Sequence, residues 1–192
     1  MDTDKHGLKA DLRQKIRAAL EQISPAVRAV ESIGLCDRLE PQLRSAHTVL
    51  FFAPLADELD VWPLLENFLA AGKTCALPFF DTAAKEYSAR RVQNLAADIS
   101  IGKFGVREPV SICPEIPPEK FDLILVPGVA FDWNGNRLGR GQGFYDRLLK
   151  NIRGVKCGVG YDFQLIGKIP VEPHDARMNF IVTPTRCVKT AG

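Results

Sequence analysis

Residues Val126 to Arg147 read V-P-G-V-A-F-D-W-N-G-N-R-L-G-R-G-Q-G-F-Y-D-R and join a buried-looking strand to a polar helix. Between these elements, glycines stand at alternate positions, Gly139, Gly141 and Gly143. Glycine accepts positive φ and close backbone approach, so that successive N–H groups can point into one concavity. The positive end of the helix dipole faces the same place. The stretch therefore predicts a strand, an anion-binding loop and a helix, and polyphosphate is the natural occupant.

Two arginines in this loop, Arg137 and Arg140, add full charges with planar, bidentate geometry. Two common phosphate loops do not fit. A Walker loop needs Lys-Ser or Lys-Thr after its glycines, and the dinucleotide fingerprint needs glycine at 144 or 146, where Phe144 and Asp146 stand. On residue chemistry alone, a glycine-rich turn with solvated arginines stays open as the alternative.

Hydrophobic periodicity around this stretch predicts alternating helices and strands. Ser24 before Pro25 is typical of a helix start, and Gly72 of a helix end. We expect helices over 8–23, from Pro25 to before Pro41, over 58–71 and from Phe144, and strands over 48–52, 74–77, 87–92, 121–126, 156–160 and 180–182. This alternation predicts an α/β sandwich with a mostly parallel sheet. Ligands then bind beyond the carboxyl ends of the strands, where the glycine loop begins.

Composition limits the class of protein. With 192 residues, of which 46% are hydrophobic, the chain suits a single domain over residues 1–192. The net charge is only +2, so neither nucleic acid nor a membrane is expected as a partner. Five cysteines without a Cys-x-x-Cys pair, and a polar N-terminus, predict reduced thiols and a cytoplasmic location. We expect a monomer, with a dimer as the alternative.

Several segments resemble the 5-formyltetrahydrofolate cyclo-ligases, also called 5,10-methenyltetrahydrofolate synthetases. They are P-G-V-A-F-D at 127–132, N-R-L-G-R-G-Q-G-F-Y-D-R at 136–147, Lys9 and Arg13 on the opening helix, F-G-V-R-E-P at 104–109 and H-D at 174–175. The resemblance implies a three-layer α/β/α sandwich with a Rossmann-like sheet. It also implies ATP-dependent cyclisation of 5-formyltetrahydrofolate, in which ATP phosphorylates the formyl oxygen and Mg²⁺ assists. Such phosphoryl transfer asks the protein chiefly for alignment and charge stabilisation.

The resemblance implies a set of residues for the nucleotide. They are Lys9, Arg13, Arg137, Leu138, Gly139, Arg140, Gly141, Gln142, Gly143, Phe144 and Tyr145, with Arg140 and Tyr145 as catalytic residues. By spacing alone, Lys9 and Arg13 suit a solvated basic stripe, because cations at i, i+4 usually face water. For Arg137 and Arg140 the alternative is a surface ion pair with a nearby acid.

A second set is implied for the folate substrate: Ala53, Glu58, Phe80 and Phe104, together with the loop residues Arg140, Gly141, Gln142, Gly143 and Phe144. The carboxylate of Glu58 can accept hydrogen bonds from the amino group and ring N–H of a pterin. Its ordinary alternative is an acid in the first turn of a helix. Phe80 and Phe104 suit stacking on flat rings, and equally a place in the core.

Asp146 and Asp175 are the implied Mg²⁺ ligands. Mg²⁺ prefers one or two carboxylates, with phosphate oxygens and waters completing its shell. The alternatives are a first-turn helix acid for Asp146 and a turn-forming residue for Asp175.

Two positions depart from the family pattern. Gln142 stands where lysine is common, and Asn179, four residues after Asp175, stands where an acid is frequent. Asparagine can coordinate a metal but contributes no charge. These departures keep a second hypothesis open, a catalytically weakened member that binds nucleotide or folate as a regulator. A third, a sugar-phosphate or acyl-transfer enzyme on a similar fold, leaves the matches at 127–147 unexplained.

Overall fold

The computed structural model describes residues 2–83, 85–102, 105–172 and 175–190. Phe104 and His174, which the sequence resemblance singled out, therefore lie outside the described residues. No helix formed by the described part of the chain is long and apolar enough to cross a membrane. The helices in that part are α1 (Asp2–Glu21), α2 (Pro25–Leu43), α3 (Trp62–Ala70), α4 (Leu95–Asp98) and α5 (Phe144–Leu149).

Strands and helices alternate as the periodicity predicts, although several strands are shorter or longer than expected. The strands are β1 (Thr48–Leu50), β2 (Thr74–Asp81), β3 (Glu86–Val92), β4 (Ile99–Ile101), β5 (Arg107–Pro109), β6 (Leu123–Pro127), β7 (Ala130–Asp132), β8 (Arg137–Leu138), β9 (Val155–Val159), β10 (Leu165–Ile166), β11 (Phe180–Val182) and β12 (Cys187–Lys189).

Seven of these strands form the main sheet, in the order β12-β11-β9-β6-β1-β2-β3. The five central strands pair in parallel, and only the edge strands β3 and β12 pair antiparallel to their neighbours. The prediction of a mostly parallel sheet is therefore confirmed. The chain leaves β1 towards β2 on one side, and later returns to β6 on the other. The gap between the carboxyl ends of β1 and β6 is thus the point where open α/β sheets bind ligands.

Both faces of the main sheet are buried, which makes the three layers. Along β1, Val49 packs into a core cluster with Leu35 of α2 and Leu65 of α3. Leu50 points to the other face, into a second cluster with Leu148 of α5. Because side chains alternate across a strand, this division places α2 and α3 on one face and α5 on the other. The expected α/β/α sandwich is confirmed.

Several predicted helix boundaries are wrong, beginning with the first helix, which was expected over 8–23 and spans Asp2–Glu21. Ser24 caps α2 as expected, since its hydroxyl accepts the Val27 N–H at 3.3 Å, but the helix continues past Pro41 to Leu43. Pro41 stands in the last turn, where its missing N–H removes only one helical hydrogen bond. The helix expected from residue 58 begins at Trp62 instead. Glu58 lies in the preceding loop, where its carboxylate accepts the Leu55 N–H at 3.0 Å.

Truncation inside the sheet should test this division of the core. Leu125 of β6 has no exposed surface, so we expect Leu125→Ala to lower the free energy of unfolding by about 3 kcal/mol through lost burial and a cavity. Ile33, 63% exposed on α2, provides the control, and Ile33→Ala should change it by less than about 0.5 kcal/mol. Urea unfolding of both variants measures the difference; equal losses would contradict the assigned core.

Candidate active site

A cavity of about 330 Å³ opens at the gap between β1 and β6. The loop after β1 lines one side of it, the end of β6 and the glycine loop line another, and β5 lines a third. The lining includes Ala53, Leu55 and Glu58 of the first loop, Pro127 and Gly128 at the end of β6, Glu108 of β5, and Arg137, Gly139, Arg140, Gln142, Gly143, Phe144, Tyr145 and Asp146 of the glycine loop and α5.

The glycine loop adopts backbone conformations that only glycine accepts easily. Gly141 has φ of +101°, and Gly143, which precedes α5 as its N-cap, has φ of +61°. L residues rarely adopt such positive φ. The loop thereby ends at the amino end of α5, which lies at the cavity wall and suits an anion.

Arg137 is fixed under the loop by the short β7–β8 hairpin, and its side chain is only 4% exposed. Its Nη2 donates to Asp146 Oδ1 at 2.8 Å, and its Nη1 donates to the Pro127 carbonyl at 3.3 Å. Its buried Nε has no hydrogen-bond partner among the described residues. Arg137 pairs with an acid, but it is buried, so the alternative of a surface ion pair does not hold for it. It holds Asp146 through Nη2, and its Nε remains available to donate to a ligand.

Arg140 bridges the glycine loop and the loop after β1. Its Nη2 lies 2.6 Å from Asp57 Oδ1 and 3.1 Å from Glu58 Oε1. The Glu58 side chain is 13% exposed, whereas those of Arg140 and Asp57 are about one-third exposed. Burial raises the pKa of Glu58, and its hydrogen bond from Leu55 and its contact with Arg140 only partly oppose that shift. Glu58 is thus a carboxylate at the cavity wall whose charge depends on a cation of the glycine loop.

The opening helix α1 lies against the glycine loop. Arg13 Nε donates to the Gly139 carbonyl at 2.9 Å, and Arg17 Nη2 lies 3.4 Å from the Arg140 carbonyl. Arg17 had no assigned role from the sequence. These contacts bring the basic face of α1 to the edge of the cavity, although Arg13 is not among the described residues that line it.

Lys9, one turn before Arg13, is buried and ion-paired. Its Nζ lies 3.0 Å from Asp175 Oδ2 and 3.3 Å from Glu172 Oε1, and its side chain is 8% exposed. The pair places Asp175 beside α1, whereas Asp146 lies beneath the loop on Arg137. The two carboxylates implied as metal ligands therefore have different partners, Lys9 of α1 for Asp175 and Arg137 of the glycine loop for Asp146. Within the described part of the chain, no three His, Cys, Asp or Glu side chains form a ready-made metal cluster.

Aromatic rings continue from the outer strands to the glycine loop. Tyr87 lies between Phe80 and Phe144, with centroid distances of 4.6 Å and 4.3 Å, and Phe144 is 5.1 Å from Tyr145. Tyr87, Phe144 and Tyr145 line the cavity, and Phe80 supports them from behind. Burial, and to a lesser degree Glu58, raise the pKa of Tyr145, so its hydroxyl stays protonated.

Several residues near the site serve the fold. Leu138 is 1% exposed in the core, so only its backbone can face a ligand. Phe131 is equally buried, and Trp62 lies under Arg107, whose guanidinium carbon is 4.5 Å from the ring centroid. Asn179 Oδ1 accepts the Lys156 N–H at 2.8 Å, so one of the two departures from the family pattern helps to hold β9.

Reasoning from the sequence assigned no role to several polar residues here: Tyr87, Glu108 and Arg147, which line the cavity, and Asp57, which pairs with Arg140. Arg147 Nη2 donates to the Tyr87 hydroxyl at 3.0 Å and to the Gln142 carbonyl at 2.9 Å, which ties α5 to β3. Glu108 lies within the segment F-G-V-R-E-P that carried the resemblance, so the sequence could have indicated it as a site residue. Asp57 adjoins Glu58, but nothing in the sequence indicated its pairing with Arg140.

Comparison with known proteins gives a consistent result. Residues 5–184 match the sequence profile of the 5-formyltetrahydrofolate cyclo-ligase family. The chain is similar to the 5-formyltetrahydrofolate cyclo-ligase of Mycolicibacterium smegmatis, with 34% identity over 185 residues, 93% of this chain and 94% of that protein. The enzyme of the same name from Escherichia coli K12 is 34% identical over 150 residues, 76% of this chain and 82% of that protein.

A solved structure has the same fold. The NMR structure of the 5,10-methenyltetrahydrofolate synthetase of Aquifex aeolicus superposes with a TM-score of 0.86 at 35% identity, over 96% of this chain and 94% of that chain.

A glycine substitution should separate the loop's role in binding from its role in folding. Gly141→Ala forces an L side chain to φ near +101°, at a cost of about 1–3 kcal/mol, so we expect affinity for ATP to fall at least about tenfold. Gly72→Ala imposes similar strain at φ of +73°, in open space after α3, and should bind ATP as the wild type does. Calorimetric titration of both variants provides the measurement. Equal affinity in the two would show that the loop backbone does not hold the nucleotide.

Proposed function

Because this chain belongs to the 5-formyltetrahydrofolate cyclo-ligase family, we propose that it converts 5-formyltetrahydrofolate and ATP to 5,10-methenyltetrahydrofolate, ADP and phosphate. One observation carries the assignment to this site. The basic face of α1 meets the glycine loop at a cavity that contains a buried carboxylate, Glu58, paired with Arg140. This arrangement offers an anion site and a site for ring N–H donors side by side.

The reaction needs both sites because a formamide carbon is a poor electrophile. The formyl oxygen attacks the γ-phosphorus, an O–P bond forms, and the bond to the bridging oxygen breaks to release ADP. The N10 amine then attacks the formyl carbon. Phosphate departs with the former formyl oxygen and the electrons of the C–O bond, and N10 loses its proton. The protein's task is to align the two substrates and to stabilise the transferring charge.

The nucleotide phosphates are assigned to the glycine loop and α1. Backbone N–H groups from Gly139 to Gly143 and the amino end of α5 provide fixed donors. Arg137 Nε is buried and lacks a partner among the described residues, so a phosphate oxygen would satisfy it. Lys9 and Arg13 would contribute charge from the α1 side, after Lys9 exchanges its carboxylate partners for phosphate.

The folate is assigned to the other end of the cavity. Glu58 would accept hydrogen bonds from the pterin amino group and ring N–H, and Ala53 lines the same cavity. Tyr87 and Phe144 present ring faces and edges on which flat substrate rings can pack. Arg140, which touches Glu58 and belongs to the loop, stands between the two substrates and would stabilise charge on the transferring phosphoryl group.

Mg²⁺ is assigned to Asp146 and Asp175. Both are hard oxygen donors, and Arg137 engages only Oδ1 of Asp146, whose side chain is 25% exposed at the cavity. A small number of protein carboxylates agrees with the preference of Mg²⁺ for phosphate oxygens and waters. When bound, the ion neutralises negative charge that develops on the transferring phosphoryl group.

Two residues favour a second candidate, a weakened member that binds its ligands without efficient turnover. Gln142 carries no charge at a loop position where lysine is common. The side-chain oxygen of Asn179, where an acid is frequent in the family, accepts a hydrogen bond from the Lys156 N–H. For either candidate we propose that residues 1–192 form a single domain and that the protein is a monomer. We further propose that it acts in the cytoplasm on small molecules, without nucleic acid or membrane partners.

A spectroscopic assay tests the proposal directly. Purified protein is mixed with Mg²⁺, ATP and 5-formyltetrahydrofolate, and the near-ultraviolet absorbance of the methenyl product is followed. Product that depends on both ATP and Mg²⁺ supports the ligase. Binding of either ligand without product supports the weakened member, and binding of neither contradicts both.

Removal of Arg140 should lower turnover strongly. Arg140→Ala deletes the cation that joins the loop to Glu58, so we expect kcat to fall at least about tenfold, the scale of losing one charge-stabilising donor. The exposed Arg153 supplies a matched control, and Arg153→Ala should retain the wild-type kcat. Steady-state assays of both variants provide the measurement, and equal activities would remove the role assigned to Arg140.

Acidification should weaken folate binding through Glu58. Because burial raises the pKa of Glu58, its carboxylate takes up a proton at a higher pH than the ordinary value of about 4.3. We therefore expect the KM for 5-formyltetrahydrofolate to rise as the pH falls, starting above that value. Glu58→Gln should show a high KM with no further rise of this kind. A wild-type KM that stays level across the range, or parallel curves for the two proteins, would show that Glu58 does not bind the pterin as a carboxylate.

A further inference from the structure

Ring closure leaves one chemical task without an assigned residue. When N10 attacks the activated formyl carbon, the nitrogen acquires positive charge while it still carries its hydrogen. The proton must leave before phosphate can depart and the amidinium form. A positioned base typically accelerates such a transfer by about 10²–10⁴-fold.

Among the described residues, three carboxylates line the cavity, and two of them already have partners. Glu58 is bound by the Leu55 N–H and by Arg140, and Asp146 is bound by Arg137. Glu108 also lines the cavity, but among the described residues it has no hydrogen-bond or ion-pair partner. It is therefore the cavity carboxylate best able to accept a proton from substrate.

The local fold directs the carboxyl group of Glu108. Glu108 lies on β5, opposite Ser100 of β4, and its carboxyl group occupies the space beside Gly102. A Cβ at position 102 would lie 2.5 Å from Oε2 and 2.6 Å from Oε1 of Glu108. Glycine at 102 therefore keeps this position open for the carboxyl group. Arg107 lies over the Trp62 ring at 4.5 Å and holds the strand at the cavity rim.

Burial raises the pKa of Glu108 and is the single cause resolved among the described residues. A carboxylate with a raised pKa is a stronger base than an exposed glutamate, which suits general-base catalysis near neutral pH.

We propose that Glu108 is a catalytic residue that accepts the N10 proton during ring closure, an assignment that rests on the proposed function. The N10 lone pair forms the bond to the formyl carbon. The N10–H bond then breaks, its electrons return to nitrogen, and the proton passes to Glu108 Oε. The C–O bond breaks next, its electrons leave with phosphate, and Glu108 later releases the proton to solvent.

A single-turnover experiment tests the assignment, because it separates phosphoryl transfer from ring closure. Wild-type protein and Glu108→Gln are mixed with Mg²⁺, ATP and 5-formyltetrahydrofolate, and ADP and methenyl product are followed over the same time course. We expect Glu108→Gln to form ADP within about threefold of the wild-type rate and methenyl product at least about 100-fold more slowly. Glu108→Asp, which keeps a shorter carboxylate, should recover part of the second rate.

Two further variants complete the design. Gly102→Ala displaces the carboxyl group and should slow ring closure while Glu108 itself is intact. Glu119→Gln, an exposed glutamate outside the cavity, should match the wild type in both steps. Thermal melts confirm that each variant is folded.

Three results would overturn the assignment: equal slowing of ADP and methenyl formation in Glu108→Gln, an unchanged ring-closure rate, or a raised KM for the folate alone. The last would make Glu108 a binding residue. Failure of the wild type to form methenyl product would instead overturn the proposed function, so the two failures are distinct.

Discussion

The hydrogen bond from Arg13 Nε to the Gly139 carbonyl is the contact on which the site depends. It joins the first helix to a loop 126 residues later in the chain, while Ile16 and Leu20 pack the same helix into the core. Through it, the basic face of α1 lies against the loop whose glycines, with the amino end of α5, line the cavity. Without α1, the site would lose the charges of Lys9 and Arg13 and keep the backbone donors of the loop and its own Arg137 and Arg140.

In the ligand-free protein, the cations of this site are held in ion pairs. Arg140 is held by Asp57 and Glu58, and Lys9 by Asp175 and Glu172. A buried charge left alone costs several kcal/mol, so these carboxylates stabilise the cations before any phosphate arrives. Binding then exchanges one anionic partner for another. This exchange also explains how Asp175 can belong both to an ion pair and to a proposed Mg²⁺ site.

Local signals in the sequence predicted the fold well, because they act over a few residues. The Ser24-Pro25 helix start, the central parallel strands and the glycine loop all depend on neighbours in the chain. The predicted helix end before Pro41 was wrong because the last helical turn tolerates a missing N–H donor. The predicted helix start at Glu58 was wrong because its carboxylate accepts the Leu55 N–H and holds residues 55–58 in a loop. Pairs such as Arg140 with Asp57 lie far apart in the sequence, and no local pattern indicates which acid meets which cation.

Amide hydrogen exchange with and without Mg²⁺ and a non-hydrolysable ATP analogue tests most directly whether α1 and the glycine loop form one nucleotide site. If they do, exchange should slow in residues 139–145 and in residues 6–17 together, while residues 27–31 in the first turns of α2 stay unchanged. Protection confined to the loop, with α1 exchanging at its ligand-free rate, would contradict a shared site.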